Sequence, residues 1–93
     1  MVVGVMTLDA RLPGIKSLKA KRMILRSLRD NVRNRFNVSI SEVEYQDLWQ
    51  RTRFGIAGVS GDRVFIEKEF TKIVRLFENR EGVEVIDSMI EFI

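Results

Sequence analysis

The spacing of apolar residues changes back and forth between two periods and thereby predicts six elements of secondary structure. Apolar side chains recur at the 3.6-residue spacing of a helix in two segments, 18–36 and 63–81. Four other segments have either the two-residue period of a strand or a short run in which both faces of a strand would be apolar. They are 2–12, 38–45, 52–59 and 83–93. The predicted order is strand, helix, strand, strand, helix, strand.

This order predicts the fold class. A chain of 93 residues is short enough for one hydrophobic core, so we expect a single domain spanning residues 1–93. Right-handed crossovers between parallel strands place the first and third strands in the middle of the sheet. We therefore predict an α+β, ferredoxin-like β-α-β-β-α-β sandwich, in which a four-stranded antiparallel sheet carries both helices on one face.

Four polar or glycine residues predict where the helices begin and end. Ser17 and Asp62 precede the helical segments and are good N-caps. Asn37 is expected to end the first helix in the left-handed conformation, and Gly82 is expected at the C′ position of the second. The apolar residues of the second strand change from one face to the other, which predicts a bulge near 41–42. Those of the final strand also change face, between 83/85 and 86/90/92.

The face of the sheet that lies away from the helices is predicted to be apolar. Its central positions are Val3, Val5, Thr7, Gly55, Ala57 and Val59. Monomers rarely expose contiguous apolar patches, so we expect a homo-oligomer that associates through this outer face. The alternative is a scatter of valines that the surface tolerates.

The chain contains neither cysteine nor histidine. It therefore has no thiolate nucleophile, no imidazole general base and no zinc site built from these residues. Only Glu42, Glu44 and Asp47 come close together in the sequence, and Glu42 and Glu44 are expected to share one face of a strand. A Mg²⁺ site and a solvated face are the two interpretations, and we favour the solvated face. We predict no catalytic residue, no metal ligand and no cofactor.

Positive charge is concentrated in the first helix, although the net charge is only +3. Residues 11–35 hold nine Lys or Arg and a single acid, Asp30. Five of these cations fall within an arc of about 80° on the helix, and Lys16 extends the row. The predicted nucleic-acid contacts are Lys16, Lys19, Arg22, Arg26, Arg29 and Arg33. A solvated face, or one paired with the acids of a partner subunit, is the alternative.

The connection between the second and third strands holds the single tryptophan. An indole here could stack on a base, anchor a protein partner, or fold back as a lid on one end of the core. The candidate partner or base contacts are Gln46, Asp47, Trp49, Gln50 and Arg51.

Several motifs give the chain a resemblance to a known family. They are Val2-Val3-Gly4-Val5, Leu12-Pro13-Gly14, Ser17-Leu18-Lys19 with Lys21-Arg22, Arg35-Phe36-Asn37-Val38-Ser39 and Gln46-Asp47-Leu48-Trp49-Gln50-Arg51. The sequence resembles the YlxP-like family of small bacterial proteins, a domain family of unknown function with a ferredoxin-like fold. Genes of that family tend to lie beside those for translation initiation and ribosome-binding factors. The resemblance therefore implies a role in ribosome maturation or translation.

Three functions are compatible with these patterns. The leading one is a non-catalytic protein that binds RNA or a ribosomal subunit. The alternative is a homo-oligomeric module that presents the basic helix to an acidic protein partner. Acylphosphatases share the fold, but their glycine-rich phosphate loop does not match residues 11–16. The N-terminal residues do not resemble a signal peptide and no segment is apolar enough to span a membrane, so we expect a cytoplasmic protein.

Overall fold

The computed structural model describes residues 1–93 and contains the six predicted elements in the predicted order. They are β1 (Val2–Arg11), α1 (Leu18–Arg35), β2 (Val38–Glu44), β3 (Arg51–Ser60), α2 (Arg63–Glu78) and β4 (Glu84–Phe92). The strands form one antiparallel sheet in the order β2-β3-β1-β4. The fold is therefore the predicted ferredoxin-like α+β sandwich, with β1 and β3 in the centre and β2 and β4 at the edges.

The core lies between the two helices and one face of the sheet. Alternate residues of the central strands, such as Met6, Leu8 and Phe54, are completely buried beneath the helices. The rings of Phe54 and Phe77 meet edge to face, with centroids 5.4 Å apart. A Cβ atom at Gly4 would lie 2.6 Å from a methyl group of Ile66, so this glycine allows α2 to approach β1 closely.

Both helices begin at the predicted caps. The Ser17 hydroxyl accepts a hydrogen bond from the amide of Ala20 (3.1 Å), and the Asp62 carboxylate accepts one from the amide of Val64 (2.9 Å). These contacts satisfy amides that have no partner within the helix.

The predicted helix ends are wrong at both C-termini. After α1 the chain is extended at Phe36, which turns its ring into the core, and Asn37 is not in the left-handed conformation. Helix α2 ends at Glu78, three residues earlier than predicted. Gly82 does have a positive φ of 82°, but it lies in the turn that Val83 closes by donating to the Arg80 carbonyl.

Both edge strands are irregular near the points where their apolar residues change face. In β4 the pairing with β1 skips Ile86, which is where the apolar residues of this strand change face. In β2 the skipped residue is Val43, slightly later than predicted. Glu42 pairs with Phe54 on the inner face and Glu44 pairs with Arg53 on the outer face, so the prediction that the two glutamates share a face is wrong. Neither helix is long and apolar enough to cross a membrane.

Candidate nucleic-acid interface

The predicted cations do form a continuous row on the surface, which we call the basic ridge: Lys16, Lys19, Arg22, Arg26, Arg29 and Arg33. Arg29 is half-buried and the other five are exposed. From Lys19 to Arg33 the row follows α1 for about 21 Å, at 1.5 Å per residue. The ridge is on the flank of α1 that faces the edge strand β2, because the Arg33 guanidinium donates to the Ile40 carbonyl of β2 (3.2 Å).

No carboxylate lies within 4.0 Å of a cationic group of the basic ridge. The five ion pairs of the structure are all elsewhere: Arg11–Glu84, Lys21–Glu42, Arg51–Asp9, Arg53–Asp9 and Arg63–Glu67. Helix α2 contains one ion pair, since its Arg63 and Glu67 approach to 3.2 Å across one turn, while its Lys68, Lys72 and Arg75 have no carboxylate within 4.0 Å. The guanidinium and ammonium groups of the ridge therefore remain available to an anionic ligand.

Lys21 lies beside the ridge in sequence but belongs to the interior. Its side chain is 1% exposed. The ammonium group donates to the carbonyls of Tyr45 and Leu48 (both 2.6 Å) and lies 3.0 Å from a carboxylate oxygen of Glu42. The same oxygen accepts a hydrogen bond from the Thr52 hydroxyl (2.7 Å). The ammonium group thus has two hydrogen-bond acceptors and a counter-ion, which compensate for its removal from water.

The sequence contains one local sign of this buried lysine, which the spacing of the ridge cations does not reveal. Leu18, Leu25 and Leu28 form part of the core stripe of α1, and a gap of seven residues separates the first two. Lys21 fills that gap at helical spacing. Its partner Glu42 is correspondingly withdrawn from water, with 12% of its side chain exposed. The interpretation of Glu42 as part of a solvated face is therefore wrong.

The loop between β2 and β3, residues 45–50, is held against the start of α1, and we call it the tryptophan loop. Besides the two carbonyls that bind Lys21, Gln50 donates from its side chain to the Ile15 carbonyl (3.0 Å). The Gln50 carbonyl accepts from the amide of Leu12 (3.1 Å). Tyr45 begins the loop with a φ of 65°, an unusual conformation for a residue other than glycine. The loop is therefore fixed next to Lys16, the N-terminal end of the ridge.

The apolar side chains at the tip of the tryptophan loop point partly into water. Trp49 is 50% exposed and Leu48 is 49% exposed. Because half of its surface remains in water, the indole does not close the core as a lid. Gln46 and Asp47 are also exposed. Four of the five candidate contacts, Gln46, Asp47, Trp49 and Gln50, thus lie in one loop beside the ridge.

Arg51, the fifth candidate, is on the other side of the sheet. It pairs with Arg11 across the two central strands, and its guanidinium group lies 4.7 Å from the centre of the Tyr45 ring. Arg53 follows on the same face and forms two hydrogen bonds with the Asp9 carboxylate, of 2.5 and 3.0 Å. The hydrogen bond from Arg53 lowers the pKa of Asp9, although partial burial acts in the opposite direction. The structure does not bring Arg51 to the ridge.

The outer face of the sheet has one charged end and one apolar end. Asp9, Arg51 and Arg53 occupy the charged end. Towards the other end the paired residues are Val5 with Ala57 and Val3 with Val59, and Val59 is 55% exposed. The predicted residues of this face are therefore on the side away from the helices. No group of three or more Cys, His, Asp or Glu side chains is placed to hold a metal ion.

These features define a class of protein: a small ferredoxin-like α+β domain with one strongly basic helix flank. The family model "Protein of unknown function (DUF503)" matches residues 3–90, and the chain belongs to this family. It is 50% identical over 68 residues to "Uncharacterized protein YlxP" of Bacillus subtilis (strain 168), a match that covers 73% of this chain and 74% of that protein. The resemblance inferred from the sequence motifs is thus confirmed.

Two solved structures share the architecture at low sequence identity. The "De novo designed protein Foldit4" has a TM-score of 0.53 and 16% identity, with 100% of this chain and 97% of that chain covered. A C-terminal segment of the alpha subunit of aIF2 from Pyrococcus abyssi has a TM-score of 0.53 and 14% identity, with 97% of this chain and 48% of that chain covered. At such identities the likeness shows the fold alone.

Proposed function

We propose that this protein binds RNA through the basic ridge, without catalysing a reaction, and acts in the cytoplasm in ribosome maturation or translation. The observation that carries the proposal is a row of six cations, five on α1 and Lys16 just before it, none of which has a carboxylate within 4.0 Å. The proposed association with the ribosome rests on the resemblance to the YlxP-like family, whose genes tend to lie beside those for translation initiation and ribosome-binding factors.

The energetics of α1 support a polyanionic ligand. Like charges three and four residues apart on a helix destabilise it by a few tenths of a kcal/mol per pair. The ridge contains such pairs, for example Arg22 with Arg26 and Arg26 with Arg29. A row of phosphates would remove this repulsion, and the planar donors of arginine suit phosphate oxygens.

The sheet is a poor platform for bases in comparison with the helix. RNA-recognition motifs stack bases on aromatic residues of the two central strands. The outer face of β1 and β3 presents no aromatic side chain, and nearby Tyr45 is already covered by Arg51 and Arg53. We therefore place RNA on the helical side of the molecule.

Salt dependence is the direct test of this proposal. Binding to fluorescein-labelled RNA is measured by anisotropy over a series of salt concentrations. If four to six phosphates are neutralised, the logarithm of the association constant should fall against the logarithm of salt concentration with a slope of roughly −3 to −5. Affinity that does not depend on salt would contradict the proposal.

A pair of charge-reversal variants tests the location. The triple variant Arg22→Glu, Arg26→Glu and Arg29→Glu should abolish binding. Its matched control reverses three exposed cations of α2, Lys68, Lys72 and Arg75, and alters the net charge by the same amount. We expect the control to retain most of the affinity for RNA.

Cross-linking in cells, followed by sequencing of the bound RNA, then identifies the ligand. The ridge variant is the control in this experiment.

The outer face of the sheet supports a second candidate, a homo-oligomeric module that presents the ridge to an acidic protein partner. The observation that favours this candidate is the apolar end of the outer sheet face, which contains Val3, Val5 and Val59. Light scattering of the wild type and a Val5→Lys variant tests self-association. A ridge variant that loses a protein partner while its RNA profile is unchanged would favour this candidate over RNA binding.

A further inference from the structure

The tryptophan loop has features that maintenance of the core does not explain. It exposes half of an indole and half of a leucine next to each other, although Trp and Leu side chains are usually well buried. Its backbone is nevertheless fixed by Lys21 at two carbonyls and by Gln50 at Ile15. A large aromatic side chain is thus presented to water by a segment whose conformation is tightly constrained.

The constraint is itself unusual. Burying an ammonium group with a carboxylate costs desolvation free energy, and apolar replacements of such pairs are often as stable or more stable. Here the Lys21 ammonium group donates two hydrogen bonds to the loop, at the carbonyls of Tyr45 and Leu48. Lys21 therefore connects the loop to the interior of the molecule, where Glu42 is its counter-ion.

The position of the loop indicates a ligand. The hydrogen bond from Gln50 to Ile15 places it beside Lys16, where the basic ridge begins. Proteins that bind single-stranded nucleic acid combine a cationic track for the backbone with aromatic side chains on which bases stack. The ridge supplies the cationic track, and the loop attached at its N-terminal end supplies the exposed Trp49. A fixed loop also loses little further entropy when a base stacks on it.

We propose that Trp49 is a stacking site for an unpaired base of RNA and that Lys21 is the positioning residue that holds the tryptophan loop in place. This inference rests on the proposed function, because the ridge must first bind the phosphates. It adds a preference for single-stranded segments, since a base within a duplex does not offer its face to the indole.

Two probes and one intrinsic signal test the stacking site. The probes are an adenosine oligonucleotide of about 12 residues, within the usual site size of single-strand binders, and an RNA duplex of the same length. Trp49 is the single tryptophan, so its emission reports on this site alone. We expect the single strand to quench the emission at saturation and the duplex to leave it unchanged.

Variants of the loop separate stacking from packing. Trp49→Ala should weaken single-strand binding about five- to a hundredfold, the range for loss of one stacked base, and leave duplex binding unchanged. Leu48→Ala is the matched control, because it removes a neighbouring side chain that is equally exposed but has no aromatic ring. It should bind both probes as the wild type does.

The double variant Lys21→Met, Glu42→Gln tests the positioning role without leaving a buried charge unpaired. Trp49 and the ridge are intact in this variant. We expect lower fluorescence anisotropy of Trp49, because the loop is released, and loss of the preference for the single strand. A double variant that folds and keeps the wild-type preference would overturn the role of Lys21.

The outcomes distinguish this inference from the proposed function. Salt-dependent binding of RNA with unchanged Trp49 emission, or with equal affinities of the wild type and Trp49→Ala, overturns the stacking site and leaves the ridge proposal intact. If neither probe binds the wild type with salt-dependent affinity, both proposals fail. Stacking is supported only when quenching, the Trp49→Ala loss and the single-strand preference occur together.

Discussion

Two sets of cations in this protein differ in what occupies their hydrogen-bond donors. Lys21 and Arg53 bind acceptors of the protein itself: carbonyls and Glu42 for the lysine, and the Asp9 carboxylate for the arginine. The cations of the basic ridge have no carboxylate partner, and only Arg33 binds a carbonyl. The first set is already paired with acceptors of the fold, whereas the second retains its capacity to bind an anion.

This difference separates residues that maintain the fold from residues that are free to act on a ligand. Substitution of a paired cation leaves an acceptor without its donor and should lower the free energy of unfolding. Substitution of a ridge cation other than Arg33 removes only repulsion from its neighbours, so it should affect binding and leave stability nearly unchanged. The predictions below test this division.

The largest effect is expected for Lys21→Met. The variant leaves the Glu42 carboxylate in the interior without its counter-ion, which should lower the free energy of unfolding by about 3 kcal/mol. Urea unfolding at neutral pH measures the loss. Adding Glu42→Gln removes the unpaired charge and should restore at least half of the stability. If the double variant is no more stable than the single one, the interior ion pair is not what Lys21 contributes.

Asp9→Asn should have a smaller effect on stability and none on RNA binding. We expect a loss of about 1 kcal/mol, below the usual range for charged hydrogen bonds because a third of the Arg53 side chain remains in water. Urea unfolding measures this loss, and RNA anisotropy is the control. Weaker RNA binding by this variant would contradict the assignment of the outer-face cations to the fold.

The pH dependence of the Asp9 contribution follows from its lowered pKa. Because the folded state binds the proton less readily than the unfolded state, the contribution is complete above the unfolded pKa, about 3.9 for an aspartate. It is lost as the pH falls through the lower pKa of the folded state. The difference in stability between the wild type and Asp9→Asn should therefore be constant near neutrality and shrink in acid. A difference that grows in acid would contradict this assignment.

Arg26→Gln should weaken RNA binding several-fold and make the salt slope less negative by about one. Arg26 is exposed and has no ion-pair partner, so its loss should leave the free energy of unfolding within about 0.5 kcal/mol of the wild type. Lys72→Gln on α2 is the matched control and should alter neither quantity. A large loss of stability in Arg26→Gln would show that the ridge is structural.

The arrangement of strands and helices could be predicted from the sequence because periodicity is a local property. The same is true of the ridge, whose spacing of three and four residues requires only that the segment is helical. The role of Lys21 could not be predicted in the same way. Its acceptors lie 24 and 27 residues away, so only the pairing of β2 with β3 brings them together. The gap in the core stripe of α1 was the one local sign.

The faces on which Glu42 and Arg51 lie could not be predicted, because they depend on the register of strand pairing. The exact site of the β2 bulge decides which face Glu42 occupies, and a shift of one or two residues separates a solvated glutamate from a buried one. Arg51 follows the tryptophan loop directly, yet strand pairing turns it to the opposite side of the sheet. Proximity in sequence to Trp49 was therefore a poor guide to proximity in space.

The smallest predicted effect concerns Asp47, the acid of the tryptophan loop. An exposed carboxylate near bound phosphates repels them weakly in water, by a few tenths of a kcal/mol, and salt screens this repulsion. Asp47→Asn should therefore strengthen RNA binding about 1.5-fold at low salt and have no effect at high salt. Asp87→Asn, an exposed acid of β4 on the outer face, is the control and should have no effect at either. Equal responses of the two variants would mean that only net charge matters, and the RNA would then have no defined path along the ridge and the loop.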